Sequence, residues 1–161
     1  MSFAIPELYK YITHPSHNFL DTVRKYREEK KWSPMLIVLG GPTGTGKTCD
    51  AVAWLKNAKR KGHEVAYLKA ADIWQLDVDD IHDLERIKAL VIDDYGKTQT
   101  TGTIERISSV IDKRIERTQK YTILTTNVLR DIRSIDERLA SRLNSGCVVD
   151  YTGMPDLRRT Q

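Results

Sequence analysis

Two hydrophobic periods alternate along this chain. From residue 35, short apolar runs recur at 35–40 (MLIVLG), 64–70 (EVAYLKA), 89–93 (ALVID) and 121–127 (YTILTTN), with a weaker fifth at 147–151 (CVVDY). None alternates polar with apolar positions, as expected of strands covered on both faces. Helical spacings lie between them. Ala51, Trp54, Leu55 and Ala58 stand at i, i+3, i+4 and i+7, and Ile104, Ile107, Ile111 and Ile115 share one face. Strands alternating with helices of this length predict a parallel sheet with helices on both faces. Residues 1–34 read as helical, with Phe19, Leu20, Val23 and Tyr26 on one face, many charged residues on the others, and Pro15 and Pro34 as punctuation. Residues 72–85 hold Asp72, Asp77, Asp79, Asp80, Asp83 and Glu85 with no lysine or arginine, and read as a solvated connection between the second and third strands.

Composition narrows the class. A length of 161 residues suits one domain. Hydrophobic residues at 40% can fill a core, and 30% charged residues with a net charge of +4 permit nucleic-acid contact without requiring it. No apolar run approaches the roughly 18 residues of a membrane span, and the start, MSFAIPELYK, lacks the basic and apolar segments of a signal peptide. Cys49 and Cys147 show neither metal spacing nor a disulfide framework, so a reducing cytoplasm is the simplest setting.

Chemistry enters at the end of the first run. Gly41-Pro42-Thr43-Gly44-Thr45-Gly46-Lys47-Thr48 fits GxxxxGK[ST] after a predicted strand and at the start of a predicted helix. Its glycines let backbone N–H groups wrap around phosphate oxygens, and the helix adds its positive end. Lys47 can reach β- and γ-phosphates and the Thr48 hydroxyl can ligate Mg²⁺. The dinucleotide pattern fails, because its third glycine position is Cys49, the last residue of the predicted nucleotide-binding stretch. The third strand ends in Asp93-Asp94. Beside a phosphate loop, Asp93 suits the Mg²⁺ sphere and Asp94 the attacking water, although strand-end acids also serve as caps. Asn127, at the polar end of the fourth strand, can hold a water or a γ-phosphate oxygen, or cap its turn. Ser134-Ile135-Asp136-Glu137 reads as a capping box opening a helix that Gly146 stops. Arg138 and Arg142 share a face of that helix, either as solvated charge or as an arginine finger for a neighbouring subunit's phosphate.

Read in order, GGPTGTGKT, LVIDDYG, TILTTN and ERLASRL resemble the AAA+ ATPases, most closely the helicase-loader branch of DnaC and DnaI with its relatives the DnaA initiators and IstB transposition helpers. The ending Gly153-Met-Pro-Asp156-Leu-Arg158 resembles that branch's sensor 2 segment. The resemblance spans about residues 34–160. It implies a P-loop three-layer α/β/α fold with a five-stranded parallel sheet and a reduced or absent helical lid, divided into an extension at 1–34, a candidate for partner binding, and an ATPase core at 35–161. It implies Mg²⁺-dependent ATP hydrolysis, slow without an oligomer. Lys47 and Thr48 would hold phosphate and metal, Asp93 the metal, Asp94 the water. Asn127 would be sensor 1, Arg138 or Arg142 the finger, and Arg158 or Arg159 sensor 2. The implied partners are a replicative helicase, single-stranded DNA and further subunits, in a bacterial or phage-infected cytoplasm. A transposition helper shares the same engine, and a small-molecule P-loop kinase is an alternative from another class. Basic clusters at Lys56, Lys59, Arg60 and Lys61, and at Arg130 and Arg133, are the candidate DNA contacts, because the second-to-third connection is acidic where the branch carries its DNA-contacting insertion.

Overall fold

A computed structural model describes residues 2–96, 99–117 and 119–155. The five apolar runs form β1 (Leu36–Gly40), β2 (Val65–Lys69), β3 (Ala89–Tyr95), β4 (Tyr121–Thr126) and β5 (Cys147–Asp150). They pair in parallel in the order β2-β3-β4-β1-β5. The helices are α1 (His17–Lys30), α2 (Lys47–Arg60), α3 (Val78–Arg86), α4 (Thr101–Glu116), α5 (Ile132–Ile135) and α6 (Glu137–Leu143).

The unbroken hydrophobicity of the strands follows from two cores. On one face Ile37, Leu39, Val91, Ile123 and Val149 pack with Phe19 of α1 and Ala51, Val52 and Leu55 of α2. On the other, Val38, Leu90, Ile92 and Leu124 meet Ile107 and Ile111 of α4, Ile132 of α5 and Leu139 of α6. Successive strand side chains point to opposite faces, so both parities must be apolar. Arg114 of α4 is fully buried and stitches the strand starts together. It donates to the carbonyls of Leu84, Ile87 and Tyr121 and to the Thr122 hydroxyl, and burial pushes its pKa down to about 10.

Three expectations need correction. Residues 2–16 are not helical apart from one 3₁₀ turn at Glu7–Tyr9. Instead they form a strap: Tyr67 on edge strand β2 donates its N–H to the Phe3 carbonyl, and Lys56 Nζ donates to the carbonyls of Tyr9 and Ile12. Edge groups and lysine donors satisfy this backbone in place of helical bonds. The helix begins only at His17, where Ser16 caps it, and its Leu20 is exposed rather than buried.

The acidic stretch keeps most of its carboxylates at the surface, but it is folded and anchored rather than a plain solvated connection. A 3₁₀ segment at Ala70–Gln75 and α3 fold it down, because Ile73, Leu76 and Leu84 enter the core. Asp77 and Asp80 form a reciprocal capping box at the start of α3, where carboxylates favour the helix dipole.

The third correction concerns the arginine helix. Asp136, not Ser134, caps it, accepting from the N–H groups of Arg138 and Leu139, while Ser134 donates back to the Asp131 carbonyl and lies in the preceding α5. Two acceptor-bearing residues stood close together, and the one followed by two free N–H groups won. The helix ends at Leu143. Gly146 follows the turn, where a Cβ would stand 3.1 Å from the Leu36 carbonyl. Among the described residues no helix is long and apolar enough to cross a membrane.

Candidate nucleotide site

The loop between β1 and α2 is shaped by its glycines. Gly41, Gly44 and Gly46 have φ of 147°, 83° and 93°, a region that L side chains rarely adopt. At Gly41 a Cβ would also meet Tyr151 Cβ at 2.9 Å, so this glycine admits both the turn and the close packing of the chain after β5. Thr45 is buried and donates to the Pro42 carbonyl at 2.7 Å, closing the loop, while Pro42 and Thr43 remain exposed. Lys47 is only 8% exposed, and its ammonium donates to the carbonyls of Gly41 at 2.7 Å and Pro42 at 2.5 Å. Desolvation lowers its pKa; Asp94 and Asp93 act in the opposite direction. Cys49 follows Thr48 in the first turn of α2, partly buried, with its thiol pKa raised by burial and by Asp50 and Asp93.

Asp93 is the centre of the constellation. It is 2% exposed, and its carboxylate accepts three hydroxyl hydrogen bonds. Thr48 and Thr125 donate to Oδ1 at 2.9 and 2.5 Å, and Tyr67 donates to Oδ2 at 2.5 Å. Thr48 comes from α2, Tyr67 from β2 and Thr125 from β4, so both neighbouring strands and the loop helix aim one carboxylate. The Tyr67 phenol is held protonated, its pKa raised by burial and by this bond.

Ile92 pairs with Leu124 and Tyr95 with Thr126, so β3 carries one residue more than β4 at this point. The bulge bends the strand end and sets Asp94 at φ 60°, a conformation that aspartate tolerates better than most side chains. Asp93 thereby stays packed toward α2, and Asp94 emerges exposed, its N–H bonded to Thr125 Oγ1 at 2.9 Å. Desolvation and the adjacent Asp93 raise the Asp94 pKa above 3.8, against Lys69 and Lys47. Asn127 lies directly across, its Oδ1 3.4 Å from where a Gly96 Cβ would stand. The sequence-predicted loop, both aspartates and Asn127 therefore converge at the C-terminal ends of β1, β3 and β4.

The arginines do not join them. Arg142 Nε bonds Asp112 Oδ1 of α4 at 2.9 Å, and Arg138 reaches the Glu105 carbonyl at 3.5 Å. Both lie along α4. Arg158 and Arg159 fall outside the described residues.

Sequence reasoning missed Tyr67 and Thr125, and also Asp50. Asp50, two positions after Thr48, accepts from the Ser16 N–H at 2.8 Å, the Ser16 hydroxyl at 2.6 Å and the Tyr151 hydroxyl at 2.5 Å. It ties the strap and the chain after β5 to the first turn of the loop helix. Thr125 was visible as one of three threonines in an otherwise apolar strand. For Tyr67 and Asp50 no motif marks the role.

A glycine-turned loop closed over a buried lysine, with a threonine hydroxyl 2.9 Å from a buried carboxylate, defines a P-loop nucleotide-binding fold of the AAA+ type. The family model for the IstB-like ATP binding protein matches residues 31–140, and the chain belongs to that family. It is similar in structure to DnaI (TM-score 0.70, 13% identity, covering 98% of this chain and 96% of that one) and to the DnaC helicase loader (TM-score 0.66, 22% identity, 90% and 99%). It is also similar to AMPPCP-bound DnaA from Aquifex aeolicus (TM-score 0.67, 22% identity, 97% and 50%). The chain spans about half the length of that DnaA and of a DNA replication initiation factor. No curated protein sequence matches it.

Proposed function

We propose that this chain is an ATP-hydrolysing switch of the helicase-loader type, acting with a replicative helicase on single-stranded DNA. The observation that carries the hydrolytic reading is the Asp93 constellation. A buried carboxylate held by Thr48, Thr125 and Tyr67 has the hard oxygen donors Mg²⁺ prefers, so the residues fit the metal. Mg²⁺ bound there would neutralise charge on the β- and γ-phosphate oxygens. Lys47 turns its ammonium from the loop carbonyls to phosphate. Asp94 orients the attacking water and takes its proton as the γ-phosphoryl group leaves ADP, and Asn127 holds a γ-phosphate oxygen. Arg138 or Arg142 serves a neighbouring subunit's nucleotide, because within its own chain each lies along α4 rather than at the phosphate loop. Arg158 or Arg159 is the candidate sensor 2.

For the partner reading, support comes from the likeness to the DnaC helicase loader and to a DnaA solved with AMPPCP and single-stranded DNA. Leu8 and Tyr11 on the strap are 82% and 83% exposed and offer residues 1–34 an apolar contact for the helicase. The family match favours a second reading, an IstB-type transposition helper with a transposase as partner. Phosphate release from ATP is measured with Mg²⁺ or EDTA, with and without the host's replicative helicase and single-stranded DNA, for wild type and Lys47→Ala. Stimulation by the helicase that Lys47→Ala abolishes is the expected result. Stimulation by a transposase alone selects the second reading, and phosphorylation of a small-molecule acceptor in place of phosphate release contradicts both.

A further inference from the structure

At the opposite end of the strands from the phosphate loop, α1 and α2 flank a groove of about 800 Å³. Its floor is made by strand starts, including Ala89 and Tyr121, and its walls by Arg24 and Arg27 of α1 and by Trp54, Arg60 and Lys61 at the α2 end. No aspartate or glutamate lines it. Four cationic side chains converge here, Arg24, Arg27, Arg60 and Lys61, all exposed, and a fifth, Lys88, stands over the Tyr121 ring at 5.2 Å. Asp21, outside the groove, pairs with Arg24 at 3.0 Å. A second hollow shares Arg24, Arg27 and Ser33 and prolongs the trough past Lys31, Glu28 and Trp32, which is 60% exposed.

Acids dominate α3 and its approach, and bases dominate this trough. Several cations against one carboxylate along the trough, that of Glu28, suit a polyanion, and aromatic rings between them suit unpaired bases. Single-stranded nucleic-acid sites combine these two features, a cationic track for phosphates and π-faces for stacking. An acidic peptide would use the charges but not the rings, and a duplex keeps its bases stacked on each other.

We infer that the α1–α2 groove, continued to Trp32, binds single-stranded DNA, at a site separate from the nucleotide and joined to it by α2. This rests on the proposed reading that the chain acts on single-stranded DNA, and it names where. A 14-residue helix spans about 20 Å, so α2 begins at the phosphate loop and ends at the DNA track.

The test is fluorescence anisotropy of a labelled 30-nucleotide oligo(dT), titrated with the full chain at several salt concentrations. One double variant is Arg27→Glu with Lys61→Glu. The rival is Arg130→Glu with Arg133→Glu, the other basic cluster, also exposed. Trp32→Ala removes a ring that is largely outside the core. Thermal melting verifies that each variant folds. The groove pair should weaken binding about tenfold or more and flatten the salt dependence by about two phosphate contacts, each worth roughly 0.7 in the log–log slope. Trp32→Ala should weaken it roughly fivefold or more, and the rival pair should leave it unchanged. Wild-type binding that the groove variants do not alter, or that the rival pair abolishes, overturns the groove and leaves the DNA reading standing. Wild type that binds no oligo(dT) at low salt overturns both. Equal, groove-dependent binding of duplex DNA, RNA or polyglutamate overturns the assignment to single-stranded DNA.

Discussion

The phosphate-loop corner and the arginine helix α6 sit on the same sheet and are built by opposite rules. In the corner, Lys47 and Asp93 are buried and each is held by several partners. Lys47 is fixed by the loop carbonyls, and Asp93 is fixed by hydroxyls from α2, β2 and β4. On α6, Arg142 is 41% exposed at its side chain and leans on a single partner, Asp112. One region is preorganised, so little reorganisation is needed when charge develops there. The other is held loosely, by a surface pair worth at most about 1 kcal/mol, and can exchange it for a stronger anion. The difference fits the proposal that one chain holds the nucleotide and a neighbour's arginine completes its hydrolysis.

The largest effect should come from the arginines. Replacing Arg138 and Arg142 together by alanine should cut steady-state ATP turnover about a thousandfold while leaving ATP affinity near the wild-type value, because a finger acts on the transition state. Equal turnover in this variant would erase the contrast. Lys47→Ala should already act on binding. Affinity for ATP, measured by calorimetry, should fall roughly 10- to 100-fold, as expected for lost charge-assisted bonds. A buried Lys47 with a lowered pKa also predicts that affinity drops on the alkaline side below pH 10.5, where the ammonium loses its proton.

Tyr67→Phe sharpens the corner itself. The phenol donates to Asp93, so the role proposed for it is a positioning one. Losing its bond should reduce turnover several-fold and raise the Mg²⁺ concentration needed for half-maximal rate, with ATP affinity in EDTA unchanged. A merely structural tyrosine would leave the Mg²⁺ dependence alone.

The smallest effect is on stability, at Asp94. Its folded pKa lies above 3.8, so above that folded value the charged form costs stability, and the cost disappears as pH falls below the unfolded value. Asp94→Asn, which also tolerates φ 60°, should therefore raise Tm slightly at pH 7 and lose that advantage near pH 3.8.

Sequence pattern revealed the parts that depend on local rules. Five apolar runs became five parallel strands, and the phosphate loop, Asp93, Asp94 and Asn127 lie where strand-end logic puts them. What it missed depends on register and packing. Tyr67 meets Asp93 only because β2 pairs beside β3, and Asp94 turns outward only because β3 carries an extra residue opposite β4. The strap at 2–16 was misread because its backbone is satisfied by an edge strand and by Lys56, partners far away in sequence. The acidic stretch is solvated at most of its carboxylates as its charge implies, and what the charge hid is the anchoring of Ile73, Leu76 and Leu84 in the core.

The central claim is that nucleotide is held by one chain and its hydrolysis is completed by another. Mixing Asp94→Asn, which keeps its arginines, with Arg138→Ala/Arg142→Ala, which keeps its nucleotide site, tests it most directly. Each variant alone should be nearly inactive, and the mixture should turn over ATP well above the sum of the two. Turnover equal to that sum at every mixing ratio would contradict the account.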